Sequence, residues 1–353
     1  MTTTTTTKNQ EHCINFQDIV NASQRIQGHA YRTPVLTSTS IDQLSSSSPP
    51  PTADLNDNNN GRKFFFKVEA MQRTGSFKFR GALNSTLSIV EQHHHNRQQQ
   101  QESNNEQREE ESTIHIVTHS SGNHAAAVAL SAKIANALEE EKNTASSLKI
   151  TSSIVMPRNA PKIKSDGVKG YLGGGGKIVY VESTNEARKE MAERIVSETK
   201  GYFLHPSEDP RVIAGQGTVA LEFVDQVKEI NANKNLDLVI IPVGGGGLAA
   251  GNTIALRSLL KDNVKIILAE PSLLDDAKRS KEAGRLLKHD KENKLNSVAD
   301  GLRTTLGPNT WPIIRDCVDE IITVSEEDIL KATKLIWERL KICIEPSAGV
   351  GVA

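Results

Sequence analysis

Short apolar segments alternate with helix-like segments along most of the chain, and this alternation limits the possible folds more than any other feature. Seven runs rich in Val, Ile and Phe have the length of strands, and apolar residues recur at helical spacing in the segments around them. Strands that read as nearly continuous apolar runs are usually covered on both faces, as in parallel sheets. The pattern predicts the α/β class, with two open twisted sheets flanked by helices. The predicted strands are KFFFKVEA (63–70), TIHIVTH (113–119), LKITSSIVMP (148–157), GKIVYVE (176–182), LDLVIIPV (236–243), VKIILAE (264–270) and EIITV (320–324), and the predicted helices include 81–92, 185–201, 218–227 and 326–342.

Three polar, low-complexity stretches interrupt this pattern. The chain begins with a threonine-rich tail (1–13), and two insertions rich in Ser, Pro, Asn, Gln and Glu occupy 45–61 and 91–111. Such compositions bury too little apolar surface to offset the entropy of ordering. We therefore expect a disordered tail and two mobile insertions.

The charge and hydropathy of the chain exclude several classes of partner. Its 42 basic and 43 acidic residues nearly cancel, so no field of one sign favours a nucleic acid or a membrane surface. No apolar run approaches the roughly 18 residues of a membrane-spanning helix, and the first residues lack the features of a signal peptide. The three cysteines, Cys13, Cys317 and Cys343, match no metal spacing and suit a reducing compartment. We predict a cytoplasmic protein without nucleic-acid or membrane partners, and we expect Cys343 in the core.

Two runs of four glycines differ in what surrounds them. Gly244 to Gly247 follow the predicted strand 236–243 and precede a helix-like segment. Backbone N–H groups of successive glycines can converge on an anion, and the start of the helix adds partial positive charge. This run is therefore either a phosphate cradle or a tight turn, and the nucleotide motifs G-x-G-x-x-G and G-K-[ST] are absent. Gly173 to Gly176 precede a strand instead, which predicts a flexible turn.

A lysine between two phenylalanines is the next candidate. Lys78 lies in RTGSFKFRGA (73–82), at the start of a predicted helix. An apolar environment disfavours the ammonium form and leaves an amine that can react with a carbonyl group. The alternative is a surface lysine whose alkyl chain lies along apolar neighbours. Combined with a phosphate cradle, the reactive amine suggests pyridoxal phosphate, an aldehyde cofactor that stabilises carbanions.

A third candidate is the segment THSSGNH (118–124), in which two serines lie between two histidines. It lacks the G-x-S-x-G turn of a hydrolase nucleophile. The serines remain candidates for a phosphate ligand, a substrate ligand or a proton carrier.

Seven segments occur in an order that closely resembles the serine racemase family, within the fold-type-II pyridoxal-phosphate enzymes of tryptophan synthase β-like fold. They are GSFKFRGA, THSSGNHAAAVA, HPSEDPRVIAGQGT, PVGGGGLAAG, AEPSLLDD, ADGLRTTLGPNTWPIIRDCVDEI and IEPSAGVGVA. The group also includes serine and threonine dehydratases, and the resemblance extends from about residue 14 to the end apart from the insertions. It implies a homodimer with a small domain (112–208) and a large cofactor-binding domain (14–90 and 209–353). The large domain would lack its C-terminal part, including the family's Ser-Gly-Gly-Asn segment that faces the pyridine nitrogen.

The resemblance also implies which residues hold the cofactor. Lys78 would bond to its aldehyde and act as a base on the si face, and Phe77 would pack on the pyridine ring. Asn123 would donate a hydrogen bond to the phenolic oxygen. The phosphate would be held by Gly244, Gly245, Gly246, Gly247 and the amide of Leu248.

For the substrate, the family places the amino-acid carboxylate at Ser120, Ser121, Asn123 and His124, with Arg188 closing over it. Racemisation removes a proton from one face of Cα and delivers one to the other, so a second acid/base is needed. The second serine of this motif has that role in the family, whereas threonine dehydratases typically carry alanine. The chain has Ser121, which would act on the re face.

The resemblance therefore implies interconversion of L- and D-serine, with ammonia-lyase side activity on L-serine, D-serine and L-threonine that releases pyruvate and ammonia from serine. An alternative is a dehydratase of 3-hydroxyaspartate, threonine or serine without significant racemisation. A catalytically silent pyridoxal-phosphate-binding protein is a third interpretation.

Two further ligands are implied by the family. A divalent cation, Mg²⁺ or Ca²⁺, would be bound by Glu270, Asp276 and the Leu274 carbonyl, which are oxygen ligands of the type these ions prefer. ATP would act as an activator between subunits. Its candidate ligands are Ser38, Thr39, Ser40, Arg73, Thr74 and Lys341; Arg73, Ala126 and Ser207 stand where relatives have lysine, glutamine and asparagine.

Overall fold

A computed structural model describes residues 12–44, 62–104, 112–142, 148–289 and 296–353. Within these ranges, nine strands and twelve α-helices alternate along the chain. The strands are β1 (Val35–Leu36), β2 (Phe66–Lys67), β3 (Ser112–His119), β4 (Leu148–Pro157), β5 (Lys177–Val181), β6 (Tyr202–Phe203), β7 (Leu238–Pro242), β8 (Lys265–Pro271) and β9 (Glu320–Val324). The helices are α1 (Phe16–Ile26), α2 (Thr39–Leu44), α3 (Lys78–Asn104), α4 (Asn123–Glu141), α5 (Lys162–Tyr171), α6 (Asn185–Thr199), α7 (Pro210–Ile230), α8 (Gly247–Leu260), α9 (Asp276–Ala283), α10 (Thr310–Cys317), α11 (Glu326–Arg339) and α12 (Pro346–Gly349).

The first of two parallel sheets is formed by the middle of the chain. Its strand order is β5-β4-β3-β6, and every neighbouring pair is parallel. Ile114 and Ile150 are partners across β3 and β4, and both are buried in a core to which α3 and α4 also contribute. Val117, on the same strand as Ile114, belongs to a separate buried cluster with residues of α6. Both faces of this sheet are therefore covered, as its continuous apolar strands predict.

The second parallel sheet has the order β7-β8-β9. Its largest core cluster joins these strands to α1, α7, α8 and α10. Helix α7 begins at a proline, and the carboxylate of Asp209 accepts a hydrogen bond from the Arg211 N–H at 2.9 Å. Strands β1 and β2 form a separate antiparallel pair. The predicted α/β class with two helix-covered sheets is confirmed.

Glycines bring α3, α7 and α8 into close contact. A Cβ on Gly215 of α7 would lie 2.6 Å from the Cα of Gly81 in α3. On the same helix, a Cβ on Gly217 would lie 2.8 Å from the Gly251 carbonyl oxygen in α8. Helix α3 begins at the candidate lysine and α8 begins at the candidate phosphate cradle. Helix α7 therefore fixes the relative position of the two candidate elements.

The structure corrects the predicted insertion at 91–111. Helix α3 continues to Asn104, because Gln, Glu and Arg favour helix once a helix has started. His94 also shares a 2.9 Å hydrogen bond with Glu139 of α4. The insertion 45–61 and the part of this segment at 105–111 lie outside the described residues.

Three smaller predictions also differ from the structure. Most of the predicted tail lies outside the described residues, but Cys13 packs against the second core and its Sγ lies 3.5 Å from the Asn309 carbonyl oxygen. Cys343 is exposed, because Ile342 and Ile344 on either side of it face the apolar cluster instead. The predicted strand 63–70 shortens to β2, where only two residues pair with β1.

The glycine run 173–176 is a turn, closed by a 3.0 Å hydrogen bond from the Gly176 N–H to the Gly173 carbonyl. Among the described helices, none is both long enough and apolar enough to cross a membrane.

Candidate active site

The candidate site forms where strands of both sheets end. Strand β3 leads into the loop 120–122, and β7 leads into the glycine run. The connection 204–208 joins them: the Leu204 N–H bonds to the Val117 carbonyl at 2.8 Å, and Ser207 lies against the glycines. Ligands of parallel α/β sheets commonly bind at the carboxyl ends of the strands.

Lys78 is the first residue of α3, and its side chain is partly buried. Its Nζ donates a 2.8 Å hydrogen bond to the Pro206 carbonyl and lies 5.2 Å from the centre of the Phe77 ring. Burial lowers the pKa of this amine to about 8. The interpretation of Lys78 as a surface lysine is not supported, and a substantial fraction of the amine is neutral near physiological pH.

The glycine run is enclosed so tightly that side chains do not fit. A Cβ on Gly245 would lie 2.6 Å from the Ser207 Oγ, and one on Gly244 would lie 2.8 Å from the Leu302 Cα. Gly246 has a φ of 83°, a conformation that favours glycine, and no side chain caps the start of α8. The first N–H groups of α8 therefore point out of an uncapped helix start, as an anion site requires.

One dipeptide connects the lysine to the glycine run. Pro206 accepts the hydrogen bond of Lys78, and the next residue, Ser207, packs against the run through both its Oγ and its Cα. The amine and the uncapped helix start thus belong to one cavity wall.

The segment from Ser120 to His124 forms the opposite part of the site. The Gly122 N–H donates to the Ser120 Oγ at 3.3 Å, and α4 starts at Asn123. His124 is 2% exposed, its Nε2 lies 3.3 Å from the Leu204 carbonyl oxygen, and its Nδ1 has no hydrogen-bond partner. Burial, with a contribution from the charge of Lys78, lowers the pKa of His124 to about 3. His124 is therefore neutral and lies within electrostatic reach of Lys78, while Ser121 is partly exposed in the same loop.

Two aromatic neighbours were not predicted from the sequence. His205 packs edge-on against Phe203, with ring centres 6.2 Å apart, and His119 lies 5.1 Å from the same ring. The Nδ1 of His205 accepts N–H bonds from Ser207 and Glu208 at 3.3 and 3.0 Å, and burial lowers the pKa of His205 to about 4. Its place in the HPSEDP segment was the only signal in the sequence.

A carboxylate behind the glycine run was also missed. Glu208 accepts the Thr310 hydroxyl at 2.7 Å and the Asn309 N–H at 2.7 Å. The same Thr310 hydroxyl lies 3.2 Å from the Gly245 carbonyl oxygen. Glu208 therefore supports the back of the glycine run.

Two substrate candidates make contacts that the sequence did not predict. The Asn123 side-chain amide lies 3.2 and 3.1 Å from the two carboxylate oxygens of Glu345. Arg188 is exposed on α6, bonded to the Thr184 carbonyl and the Asn185 side chain. Its charge helps to lower the pKa of His119, after burial as the main cause, so it faces the end of β3.

The candidate cation ligands include two buried carboxylates. Glu270 is 1% exposed and accepts the N–H groups of Ala277 and Lys278, and Asp276 is 2% exposed and accepts the Leu306 N–H. Burial and the charge of Asp276 raise the pKa of Glu270 to about 8, and burial raises the pKa of Asp276 to about 7.

Two neighbours complete this cluster. Leu274 lies buried in the turn between the two acids, and His289 Nδ1 is 3.3 Å from an Asp276 oxygen. In the described part of the chain, no three His, Cys, Asp or Glu side chains are grouped to hold a metal. A cation here would need main-chain or water ligands in addition.

The candidate nucleotide ligands surround one small apolar cluster that contains Ile41, Ala70 and Leu340. Arg73 stacks over the Tyr31 ring at 4.7 Å, and its Nε is buried without a hydrogen-bond partner. The Thr74 hydroxyl is likewise buried without a partner, and Thr74 has a φ of 63°. The remaining candidates lie at the start of α2, where the Ser38 and Ser40 hydroxyls are 3.0 Å apart, and at the exposed Lys341.

The residues of the main site fit pyridoxal phosphate. An amine with a lowered pKa lies beside an uncapped helix start, and the four glycines leave backbone rather than side chains at that helix start. These are the groups that an aldehyde with a phosphate would engage.

Comparison with known proteins assigns the family. The family model described as pyridoxal-phosphate dependent enzyme matches residues 29–353. The chain belongs to this family, and its fold is the type II fold of these enzymes.

Within the family, the chain is similar to serine racemases. The serine racemase of Rattus norvegicus is 40% identical over 97% of this chain and 86% of its own length. The structure of maize serine racemase is 36% identical, with a TM-score of 0.77 over 97% of this chain and 86% of that chain. The structure of a bacterial-type threonine deaminase, from T.th., is 34% identical, with a TM-score of 0.76 over 96% of this chain and 91% of that chain. The family and the fold predicted from the sequence are confirmed.

Proposed function

We propose that the protein is a pyridoxal-phosphate-dependent serine racemase that interconverts L- and D-serine, with ammonia-lyase side activity on serine and threonine. The proposal rests on one observation above all. The Lys78 amine bonds to the residue next to the glycine run, and its charge also reaches His124 in the loop that carries the two serines. An amine, an anion site and a second hydroxyl therefore surround one cavity.

Each of these residues has a role in the proposal. Gly244 to Gly247, with the Leu248 amide, hold the phosphate at the start of α8, and Phe77 packs against the ring. The bound cofactor supplies an electron sink that stabilises a carbanion at Cα. The neutral Lys78 amine accepts a proton at Nζ on one face, and the Ser121 Oγ exchanges a proton on the other.

The substrate is oriented by its carboxylate. In the proposal, backbone and side-chain donors of Ser120, Asn123 and His124 bind it, and Arg188 approaches when the cleft closes. Because His124 stays neutral at physiological pH, its contribution is a hydrogen bond rather than a charge.

A dehydratase without racemisation is the second candidate, supported by the similarity to a threonine deaminase. Elimination needs a proton removed from only one face and the loss of the β-hydroxyl. L-serine is therefore incubated with the holoenzyme, and D-serine is measured by chiral chromatography beside pyruvate. We expect both products.

The Ser121→Ala variant separates the two candidates. It should lose D-serine formation while L-serine elimination continues, because only the second proton carrier is removed. Pyruvate without D-serine from the unmodified protein would contradict the racemase proposal, and equal loss of both activities in the variant would contradict the role of Ser121. Lys78→Ala is the matched control that should lose both.

We further propose a divalent-cation site at Glu270, Asp276 and the Leu274 carbonyl. Two carboxylates buried to 2% or less need a positive partner, and Mg²⁺ or Ca²⁺ prefers oxygen ligands. A calorimetric titration with each ion, repeated on Glu270→Gln, tests this proposal.

ATP is the proposed activator at the Arg73 cluster. The buried Arg73 Nε and Thr74 Oγ1 lack partners, which a phosphate-bearing ligand would supply. The homodimer and the domain boundaries predicted from the sequence belong to the same proposal, and size-exclusion chromatography with light scattering tests the dimer. The cytoplasmic location and the lack of nucleic-acid partners stay predictions.

A further inference from the structure

A hydrogen bond across the cleft connects Asn123 to Glu345. The Asn123 Nδ2 lies 3.2 and 3.1 Å from the two Glu345 oxygens, although the residues are 222 positions apart in sequence. Asn123 starts α4 beside the first sheet, and Glu345 immediately precedes α12 beside the second. The contact therefore joins the two halves of the site.

The backbone around Glu345 is held on both sides. The indole N–H of Trp337 donates to the Ile344 carbonyl at 3.1 Å. The Glu345 carbonyl accepts the N–H of Ala348 at 2.9 Å, and the Gly301 N–H donates to the Ser347 Oγ at 3.0 Å. Because the main chain is fixed here, the direction of the carboxylate is set by the fold rather than by chance.

The backbone of Asn123 is fixed as well. The preceding glycine donates to the Ser120 Oγ at 3.3 Å, and the Ala125 N–H donates to the Gly122 carbonyl at 3.0 Å. The side-chain amide is then the main remaining freedom of Asn123. A carboxylate accepts hydrogen bonds only, so it selects the orientation in which the nitrogen of the amide, and not the oxygen, faces it.

We infer that Glu345 is a positioning residue for the cofactor site: it holds the Asn123 amide so that its second N–H faces the ring oxygen of the cofactor. An amide nitrogen has two N–H donors, and Glu345 engages only one of them. Without the carboxylate, the amide can turn by half a rotation and present its oxygen to another oxygen, which is repulsive. The inference rests on the proposed function, because it concerns the binding of pyridoxal phosphate.

Two substitutions separate the hydrogen bond from the charge. Glu345→Ala removes both, whereas Glu345→Gln keeps an acceptor oxygen at the same place. We expect the Kd for pyridoxal phosphate to rise about tenfold in Glu345→Ala and about twofold in Glu345→Gln, with a shifted visible absorption band of the bound cofactor in the alanine variant. Glu338→Ala is the matched control, since this exposed glutamate on α11 contacts Lys334 at 3.7 Å and no site residue.

The Asn123→Ala background provides the decisive measurement. In that background Glu345→Ala should change the Kd by less than twofold, because its effect acts through Asn123. A tenfold effect that persists without Asn123 would overturn the inference, as would wild-type affinity and an unchanged band in Glu345→Ala. A lower melting temperature of the apoprotein with unchanged cofactor affinity would also overturn it. If the unmodified chain develops no cofactor band, the proposed function itself fails; a normal band that is insensitive to Glu345 rejects the positioning role alone.

Discussion

The buried guanidinium of Arg80 offers a sharp test of how the site is held in place. Arg80 lies two residues after Lys78 in α3 and is 0% exposed. It donates to both Glu69 oxygens at 2.8 and 2.9 Å and to both Glu222 oxygens at 2.8 and 2.7 Å. It therefore anchors the start of α3 to α7 and to the 3₁₀ turn at 69–71.

Arg80→Met keeps the length of the side chain but removes the charge and every donor. Glu69 and Glu222 then remain partly buried with one cation fewer, although Lys67 still contacts Glu222 at 2.7 Å. Breaking a buried ion pair from one side costs about 3–5 kcal/mol. With a urea dependence of about 3 kcal/mol per molar, the unfolding midpoint should fall by about 1–2 M.

The pH dependence of this loss has a definite sign. Burial opposes ionisation of Glu222, but the hydrogen bonds and charge of Arg80 lower its pKa overall. A carboxylate with a lowered pKa contributes stability above its ordinary pKa and loses it as the pH falls through the folded value. The gap between the wild type and Arg80→Met should therefore be full at pH 7 and narrow below about pH 4, where the unfolded carboxylates take up protons.

The assay is urea unfolding followed by circular dichroism at several pH values. Arg158→Met is the matched control, because Arg158 and Glu182 are 3.8 Å apart with side chains that are 68% and 82% exposed. Such a surface pair contributes about 0–1 kcal/mol. A loss below about 1 kcal/mol for Arg80→Met, or a gap that widens at low pH, would refute the reasoning.

Three further predictions concern the site and its supports. The rate of Cα proton exchange should rise about tenfold per pH unit up to about pH 8 and then level off, because burial lowers the pKa of Lys78 to about 8; a profile that is flat between pH 6 and 8 would contradict this role. Gly251→Ala should destabilise the protein by about 1–3 kcal/mol in urea unfolding, because the new Cβ would lie 2.7 Å from the Gly217 nitrogen, whereas Gly167→Ala, with nothing within 4 Å, should not. A chelator should lower the melting temperature of the wild type but not of Glu270→Gln, and an equal shift in both would place the bound cation elsewhere.

The sequence by itself determined the strand and helix alternation and most of the candidate site. Strands such as 148–157 are recognisable because continuous Val and Ile runs fit only a sheet that is buried on both sides. The roles considered for Lys78 and for Gly244 to Gly247 depend on local chemistry, an apolar neighbourhood and the absence of a Cβ, which a short stretch of sequence displays.

Local composition was misleading where the partners lie far away. The polar segment that begins at 91 looked like a loop, yet it extends α3 and contacts α4 through His94 and Glu139. Cys343 looked buried, but the coil around it turns the flanking isoleucines inward instead.

Only the tertiary structure decided which groups meet at the site. The Pro206 carbonyl on the Lys78 amine, the Glu345 carboxylate on Asn123 and His289 beside Asp276 come from distant segments. The lowered pKa of Lys78 likewise depends on the water that packing excludes, not on neighbouring letters in the sequence. Composition and spacing report local preferences, whereas contacts and desolvation exist only after the two sheets have packed around a common cleft.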